Sequence, residues 1–375
     1  MPKRIKIIHI CDKFGVKGST VHGASKLISW WLPAFDKTRF EAKLYGVKSP
    51  DVSSLQLESE GIHIDYMRQS ALSPRILSAF LRVIRNEQAD ILHLHGWIAA
   101  NFGRIAGRIA GIPTIMHEHG VDPSFPASQK AADRFISRYT HTAVAVSNSV
   151  RDFLITKRFV SPDKIKVIYN GTPIRLFSVP SDDVITATRN SLNIPVDSPV
   201  IGTVGRLDTQ KGITYFLNAA RKITERYPAA RFLIVGDGPK KEELTAEARS
   251  LGLTENVIFT GHRNDLPALA GMFDVQVFPS LWEGLPLTLI ESMAAGRTIV
   301  STDVDGLGEV LTNKKDALVI KPRDPQAIAE SVITLLADRQ FARELGEEAK
   351  KRSNDFDSSV TVAKLESLYA EICGE

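Results

Sequence analysis

Residues 275–296 read Val275-Gln-Val-Phe-Pro-Ser-Leu-Trp-Glu-Gly-Leu-Pro-Leu-Thr-Leu-Ile-Glu-Ser-Met-Ala-Ala-Gly296. The stretch starts with a short apolar run of strand length, continues through a loop punctuated by Gly284 and Pro286, and ends in a longer helical segment. A strand, a loop and a helix in this order form the repeating unit of parallel sheets. The stretch therefore predicts an α/β fold.

Two glutamates eight positions apart lie in this stretch, Glu283 in the loop and Glu291 on the helix. The first amides of that helix lack intrahelical partners and carry the positive end of the helix dipole, so they favour an anion. One short segment thus offers carboxylates for hydroxyl groups and amides for a phosphate. We interpret it as a clamp for the sugar and the nucleotide of a sugar nucleotide.

The same unit recurs along the whole chain and predicts two Rossmann-like domains. We expect a domain of residues 1–172 and another of residues 198–356, joined where prolines break the periodicity, with helices at 324–337, 339–352 and 357–373. The last helix, within 357–375, is expected to pack back on the first domain. Ligands of such sheets bind outside the carboxyl ends of the strands, which predicts a cleft between the domains. Strands are predicted near 4–11, 40–46, 62–66, 90–95, 113–118, 142–146, 165–168, 200–204, 232–235, 257–259, 275–278, 298–300 and 317–320.

Composition narrows the class of protein. No apolar run approaches the roughly 18 residues needed to span a bilayer, and two cysteines in 375 residues do not form a disulfide framework, so we expect a cytoplasmic location. Residues 1–172 hold 24 Lys and Arg against 14 Asp and Glu, whereas the remainder holds 23 against 29. The basic first half predicts an anionic partner, and no RNA-binding signature points to nucleic acid.

Two further loops are candidates for binding the sugar nucleotide, which would act as the sugar donor. Gly205-Arg206 and Lys211-Gly212 follow the strand near 200–204, and their two cations suit a diphosphate. Near the N-terminus, a loop with Gly18 and Gly23 permits close backbone approach to a ligand but matches neither a dinucleotide fingerprint nor a P-loop.

With these motifs the chain resembles the retaining glycosyltransferases of glycosyltransferase family 4, which have the GT-B architecture of two facing Rossmann-like domains. The resemblance covers nearly the whole length and depends on the order and spacing of short motifs. They include Asp90-Ile-Leu-His-Leu-His95, Thr114-Ile-Met-His-Glu-His-Gly120, Val204-Gly-Arg-Leu207, Val235-Gly-Asp-Gly-Pro239 and the stretch from Phe278 to Glu291. One loop departs from the pattern, because Asp305-Gly-Leu-Gly-Glu stands where Gly-Gly-x-Pro-Glu is more usual.

The resemblance implies a role for several residues. Arg206 and Lys211 would hold the donor diphosphate, Glu283 the sugar hydroxyls and Glu291 the ribose, while His119 would approach the donor sugar. We therefore predict Glu283, His119, Arg206 and Lys211 as catalytic residues. The predicted donor-binding residues are Gly18, Gly23, Arg206, Lys211, His262, Gly284, Leu287, Thr288 and Glu291.

Several alternatives remain open at this stage. Asp303-Val-Asp305 matches a metal-binding Asp-x-Asp pattern, and the histidines of the first half could suggest zinc, but we predict a site without metal or cofactor because the spacings lack a tetrahedral ligand set. The resemblance implies a retaining, hexosyl-type transferase that uses a UDP- or GDP-linked sugar and a glycan or lipid-linked acceptor in cell-envelope polysaccharide synthesis. A sugar-nucleotide epimerase and a non-catalytic sugar-nucleotide binder are the competing functions. Trp30-Trp31 and the basic segment 75–85 suggest peripheral contact with an anionic membrane, against ordinary core packing with solvated cations.

Overall fold

The computed structural model describes residues 3–15, 23–71 and 73–375, and it divides into two compact units. The N-terminal unit comprises Met1–Gly171 and Ser358–Glu375, and the C-terminal unit comprises Thr172–Asp357. Residues 172–198, the predicted join, lie within the C-terminal unit in this division.

A parallel seven-stranded sheet forms the centre of the N-terminal unit, in the order β3-β2-β1-β4-β5-β6-β7. Its central strands are almost wholly buried, as expected for a parallel sheet covered on both faces. The strands are β1 (Ile5–Cys11), β2 (Phe40–Gly46), β3 (Ile64–Tyr66), β4 (Ile91–His95), β5 (Thr114–Glu118), β6 (Thr142–Ala145) and β7 (Ile165–Val167).

The C-terminal unit contains a parallel six-stranded sheet in the order β10-β9-β8-β11-β12-β13. All thirteen predicted strands are present in the two sheets, which confirms the expectation of two Rossmann-like domains. The strands are β8 (Val200–Val204), β9 (Arg231–Val235), β10 (Val257–Gly261), β11 (Val275–Phe278), β12 (Ile299–Thr302) and β13 (Leu318–Ile320).

Helices alternate with the strands in both units. In the N-terminal unit they are α1 (Gly23–Ala34), α2 (Val52–Ser59), α3 (Ile76–Glu87), α4 (Trp97–Ala110), α5 (Ala127–Ile136), α6 (Asn148–Thr156) and the C-terminal α15 (Ser358–Cys373). In the C-terminal unit they are α7 (Asp182–Ser191), α8 (Ile213–Arg226), α9 (Lys241–Ser250), α10 (Leu266–Met272), α11 (Leu287–Ala294), α12 (Asp305–Val310), α13 (Pro325–Ala337) and α14 (Arg339–Ser353).

The C-terminal helix returns to the first sheet. Helix α15 contacts α1 and β1, and its Leu365 and Tyr369 are fully buried there. This confirms the prediction that the last helix packs on the first domain. One local expectation was wrong: residues 305–308, predicted as a loop, begin helix α12.

The two segments suggested for membrane contact, Trp30-Trp31 and residues 75–85, place apolar side chains in the core of the N-terminal unit. Trp31 has no exposed surface, and helix α3 buries Ile76, Phe80 and Ile84 in the apolar core of the N-terminal unit. These side chains therefore cannot insert into a bilayer without leaving the core. Among the described residues, none of the helices is both long enough and apolar enough to traverse a membrane.

Candidate active site

The loop after β11 places Glu283 in a buried setting, with 4% of its surface exposed. Its Oε1 accepts hydrogen bonds from Lys211 Nζ at 2.6 Å and from Ser280 Oγ at 2.8 Å. Its Oε2 accepts one from Gln210 Nε2 at 3.1 Å. A cation and two neutral donors therefore hold the orientation of this carboxylate. Sequence reasoning missed Gln210 and Ser280, although Ser280 stands only three residues before Glu283.

The loop that supplies Lys211 follows β8 and is locked against the end of β11. Gly212 has φ of +62°, and a Cβ added there would lie 2.0 Å from the carbonyl oxygen of Pro279. Only glycine fits both that backbone conformation and that close approach. Leu281 N also donates to the carbonyl oxygen of Gln210 at 2.8 Å, so the two loops form one surface.

Arg206 lies on the same loop, and its guanidinium pairs with Asp208, with 38% of the Arg206 side chain exposed. Asp208 also accepts a hydrogen bond from Lys211 N at 3.3 Å. Both predicted phosphate ligands thus contact a carboxylate, Arg206 through Asp208 and Lys211 through Glu283. Each cation is therefore held in place by a carboxylate.

A glycine loop after β9 packs on the Arg206 loop. Leu207 N donates to the carbonyl oxygen of Asp237 at 2.9 Å, and a Cβ added at Gly236 would lie 2.0 Å from the carbonyl oxygen of Gly205. These approaches bring the carboxyl ends of β8 and β9 together. His262, which follows β10, is exposed, and its Nε2 lies 3.1 Å from Asn264 Oδ1.

Helix α11 starts at Leu287, directly after the loop of Glu283 and Gly284. Its N-cap residue is Pro286, which makes no side-chain hydrogen bond to the helix. The first turn, with Leu287 and Thr288, therefore lacks a side-chain cap and retains the capacity to bind an anion. Glu291 lies one turn further along and is 6% exposed.

Asp305, the first residue of α12, contacts the same loop. Its Oδ2 accepts a hydrogen bond from Glu283 N at 2.8 Å. The next residue packs against the loop as well, since a Cβ at Gly306 would lie 1.9 Å from the carbonyl oxygen of Gly284. The sequence pattern suggested only a metal-binding role for Asp305, because nothing local in the sequence indicates a contact 22 residues away.

The N-terminal unit contains a buried hydrogen-bonded series of five histidines and one tyrosine, which we call the imidazole chain. Nitrogen to nitrogen distances along it are 3.0, 3.2 and 2.9 Å, and the tyrosine hydroxyl lies 3.5 Å from one imidazole and 2.7 Å from another. The parallel registers of β1, β4 and β5 bring these side chains together. In order, the members are His119, His95, His9, Tyr369, His93 and His117.

Burial keeps four histidines of the imidazole chain neutral. It lowers the pKa of His9 to about 3, and it lowers the pKa of His93, His95 and His117 well below the usual value near 6.5. A neutral imidazole has one N–H donor and one acceptor nitrogen. Each ring in the chain can therefore donate a hydrogen bond to the next ring and accept one from the previous ring. The tautomer of each ring is then tied to that of its neighbours.

His119 follows the end of β5 and stacks on His117 at 4.4 Å, as strand alternation predicts. Glu118 points the other way, to Arg158 Nη1 at 2.5 Å. His95 Nδ1 lies 3.0 Å from His119 Nε2, so the imidazole chain orients the ring of His119. The catalytic role of His119 stays a prediction.

The three-imidazole groups His9, His93, His95 and His95, His117, His119 each have nitrogens within 4.8 Å of one another. Their rings already bond to one another, so a tetrahedral metal set would require them to turn. The metal-free site therefore stays a prediction. Of the two glycines predicted in the first loop, Gly18 lies outside the described residues. Gly23 begins α1, and a Cβ added there would have no atom of the described residues within 4 Å.

Comparison with known proteins places this combination of loops in a family. The family model described as Glycosyl transferases group 1 matches residues 184–352. The family model described as Glycosyltransferase Family 4 matches residues 46–176. A glycosyltransferase of Methanocaldococcus jannaschii is 30% identical over 282 residues, which cover 72% of each chain. The chain belongs to glycosyltransferase family 4.

Two further comparisons concern this glycosyltransferase. It is 28% identical over 308 residues, 79% of each chain, to the Escherichia coli UDP-Gal:alpha-D-GlcNAc-diphosphoundecaprenol alpha-1,3-galactosyltransferase. It superposes with a TM-score of 0.86 and 22% identity on an Anabaena protein whose crystal structure contains UDP and glucose, covering 98% of this chain and 100% of that one. This likeness, together with the two parallel sheets, shows the GT-B fold.

Proposed function

We propose that this glycosyltransferase moves a hexosyl unit from a UDP-linked sugar to a glycan or lipid-linked acceptor, with retention of configuration and without a metal. The observation that carries the proposal is the pairing of Lys211 with the buried Glu283 directly before the uncapped first turn of α11. A carboxylate, a cation and helix amides at one point match the hydroxyls and phosphates of a sugar nucleotide.

The donor diphosphate would bind to Arg206 and Lys211, which would exchange part of their contact with Asp208 and Glu283 for the phosphates. Departure of the sugar leaves negative charge on the diphosphate. Fixed cations and amides aimed at that charge stabilise the transition state more than the ground state. These residues supply the stabilisation that a metal ion provides in other enzymes, which supports metal independence.

The proposal that the configuration is retained comes from the resemblance to the retaining glycosyltransferases of family 4. Glu283 is held by three donors, which suits a hydrogen-bonding role with sugar hydroxyls better than nucleophilic attack. In a front-face reaction the acceptor oxygen attacks on the side that the diphosphate leaves, and a diphosphate oxygen takes the acceptor proton. Assigning the anomeric configuration of the product by nuclear magnetic resonance tests this step.

The acceptor class is supported by the Escherichia coli relative, whose name specifies a diphosphoundecaprenol-linked acceptor and a UDP-galactose donor. The excess of cations in residues 1–172 suits an anionic surface. We therefore propose a role in cell-envelope polysaccharide synthesis, with peripheral binding on the cytoplasmic face of the membrane. Binding to vesicles of anionic lipid at low salt, and loss of that binding at high salt, is the expected result.

Glu283→Gln tests the donor site. Transfer from a UDP-sugar to a lipid-linked acceptor should be abolished, while UDP binding should stay within a few fold, because the amide keeps the shape but not the charge. Glu347→Gln, an exposed substitution on α14, is the matched control. Near-normal turnover by Glu283→Gln would overturn the assignment, and loss of activity in EDTA would overturn metal independence.

A further inference from the structure

Asp305 occupies a position whose backbone favours glycine. Its φ is +41°, in the left-handed region that most side chains avoid. The Gly-Gly-x-Pro-Glu pattern described above has Gly-Gly at the positions where this chain has Asp305-Gly306. The chain thus places a carboxylate where glycine would fit more easily, which is typical of a residue held for function.

The carboxylate of Asp305 lies at the residue that the proposed function assigns to the sugar. Its Oδ2 accepts a hydrogen bond from Glu283 N at 2.8 Å, and Gly306 packs closely against the carbonyl group of Gly284. Its other oxygen, Oδ1, has no hydrogen-bond partner among the residues that the structure describes. An ionised carboxylate only accepts hydrogen bonds, so this oxygen suits a hydroxyl group.

Two further carboxylates lie near Asp305. Burial raises the pKa of Asp305, and the nearby Glu283 and Glu309 raise it further. Lys211, on the neighbouring loop, is paired with Glu283, with its Nζ 2.6 Å from Glu283 Oε1. A further carboxylate brought in by a ligand would therefore be repelled by Asp305 in a half-buried setting.

We propose that Asp305 is a specificity-determining residue that selects neutral, hydroxyl-bearing donor sugars and rejects hexuronic acids. A hydroxyl donates to the carboxylate of Asp305, whereas the carboxylate of a hexuronic acid has no proton to donate and is repelled. Discrimination thus comes from a repulsive element as well as an attractive one. The inference rests on the proposed function of the Glu283 loop as the sugar site.

Binding of paired ligands to the full chain tests the proposal. Dissociation constants are measured by calorimetry for UDP, UDP-glucose and UDP-glucuronate, and likewise for GDP, GDP-mannose and GDP-mannuronate. The wild-type protein should bind the uronate roughly tenfold more weakly than the neutral sugar on whichever base it accepts. Asp305→Asn keeps an acceptor for Glu283 N but removes the charge, and should narrow that ratio to about twofold.

Two further variants separate charge from structure. Asp303→Asn removes an exposed carboxylate two residues away and should leave the wild-type ratio unchanged. Asp305→Gly has the residue that the backbone favours, and should narrow the ratio as Asp305→Asn does even if the amide variant folds poorly. An equal ratio in the wild type and in both Asp305 variants would overturn this inference alone. Failure of the wild type to bind any of the six ligands would overturn the proposed function instead.

Discussion

Lys211 is the residue on which the donor site depends most directly. It neutralises a carboxylate that is 4% exposed, and the same ammonium group is the proposed ligand of the donor diphosphate. Stability and binding are therefore coupled at one side chain. A buried ion pair contributes little by itself, but removing one partner leaves the other charge without compensation.

Lys211→Met should lower the free energy of unfolding by about 2–4 kcal/mol, because Glu283 stays buried without its cation. Urea denaturation measures this change. Lys240→Met, which breaks the exposed pair of Lys240 and Glu243, should change it by less than about 1 kcal/mol. Adding Glu283→Gln to Lys211→Met should restore most of the loss, and a double variant no more stable than Lys211→Met would contradict this account.

The imidazole chain predicts a dependence of stability on pH. The native pKa of His9 is about 3, whereas the unfolded chain has the ordinary value near 6.5. The unfolded state binds more protons between these values, so stability is fully present above pH 6.5 and is lost as pH falls below it. His93, His95 and His117 act in the same direction.

Each of these imidazoles should contribute a slope of up to about 1.4 kcal/mol per pH unit below pH 6.5. His9→Gln should reduce the slope of unfolding free energy against pH, measured by urea denaturation between pH 7 and 5. His63→Gln changes an exposed histidine outside the chain and should leave the slope unaltered. An identical slope in His9→Gln and the wild type would refute the neutral chain.

At the scale of elements, the site is built from loops that contact one another at the carboxyl ends of strands. The loops after β8, β9 and β11 are joined by backbone hydrogen bonds and glycine approaches, and α12 closes on the loop after β11. Sheet order explains this, since β9, β8 and β11 are neighbours. A substitution that displaces one loop should therefore also displace the loop that it contacts.

Gly212→Ala should displace the Lys211 loop, because the added methyl group would meet the carbonyl oxygen of Pro279 at 2.0 Å. UDP affinity, measured by calorimetry, should fall at least about tenfold, which corresponds to roughly 1.4 kcal/mol. Gly252→Ala is the matched control, since Gly252 has φ of +72° and a Cβ added there would have no atom of the described residues within 4 Å. It carries the same backbone strain without the clash, so an equal loss of UDP affinity in both variants would disprove the role of the close approach.

At the scale of the whole molecule, the chain builds its first domain from both of its ends. Helix α15 belongs to the N-terminal unit although the whole of the other unit, Thr172–Asp357, precedes it in the sequence. Its Tyr369 also joins His9 to His93 within the imidazole chain. Stability of the N-terminal unit therefore depends on the last residues of the sequence.

Leu365→Ala should destabilise the N-terminal unit by about 2–5 kcal/mol, because the side chain is fully buried. Hydrogen exchange followed by mass spectrometry should show faster exchange in β1 and α1 but not in β8 or α8. Lys364→Ala, an exposed neighbour on the same helix, should leave exchange unchanged. Equal acceleration in both units would show that they do not respond separately.

Local sequence patterns were sufficient to predict the class of fold and the positions of its strands. Apolar runs of strand length, glycine and proline breaks, and helical periodicity are local properties, so they predicted all thirteen strands, the last three helices and the setting of Glu283 and Glu291. Helix α12 was missed because Asp305-Gly-Leu-Gly308 contains two glycines, which disfavour a helix unless tertiary packing holds it.

Which side chains contact one another follows from the fold, not from local sequence patterns. Lys211 and Glu283 are 72 positions apart, Glu283 and Asp305 are 22 apart, and Tyr369 and His93 are 276 apart. Strand order and register bring these residues together, and neither is written in the local pattern of hydrophobicity. The motifs thus indicated which segments hold the candidate site residues. The contacts of Glu283 and Asp305 follow from packing between loops, and the imidazole chain follows from the register of neighbouring strands.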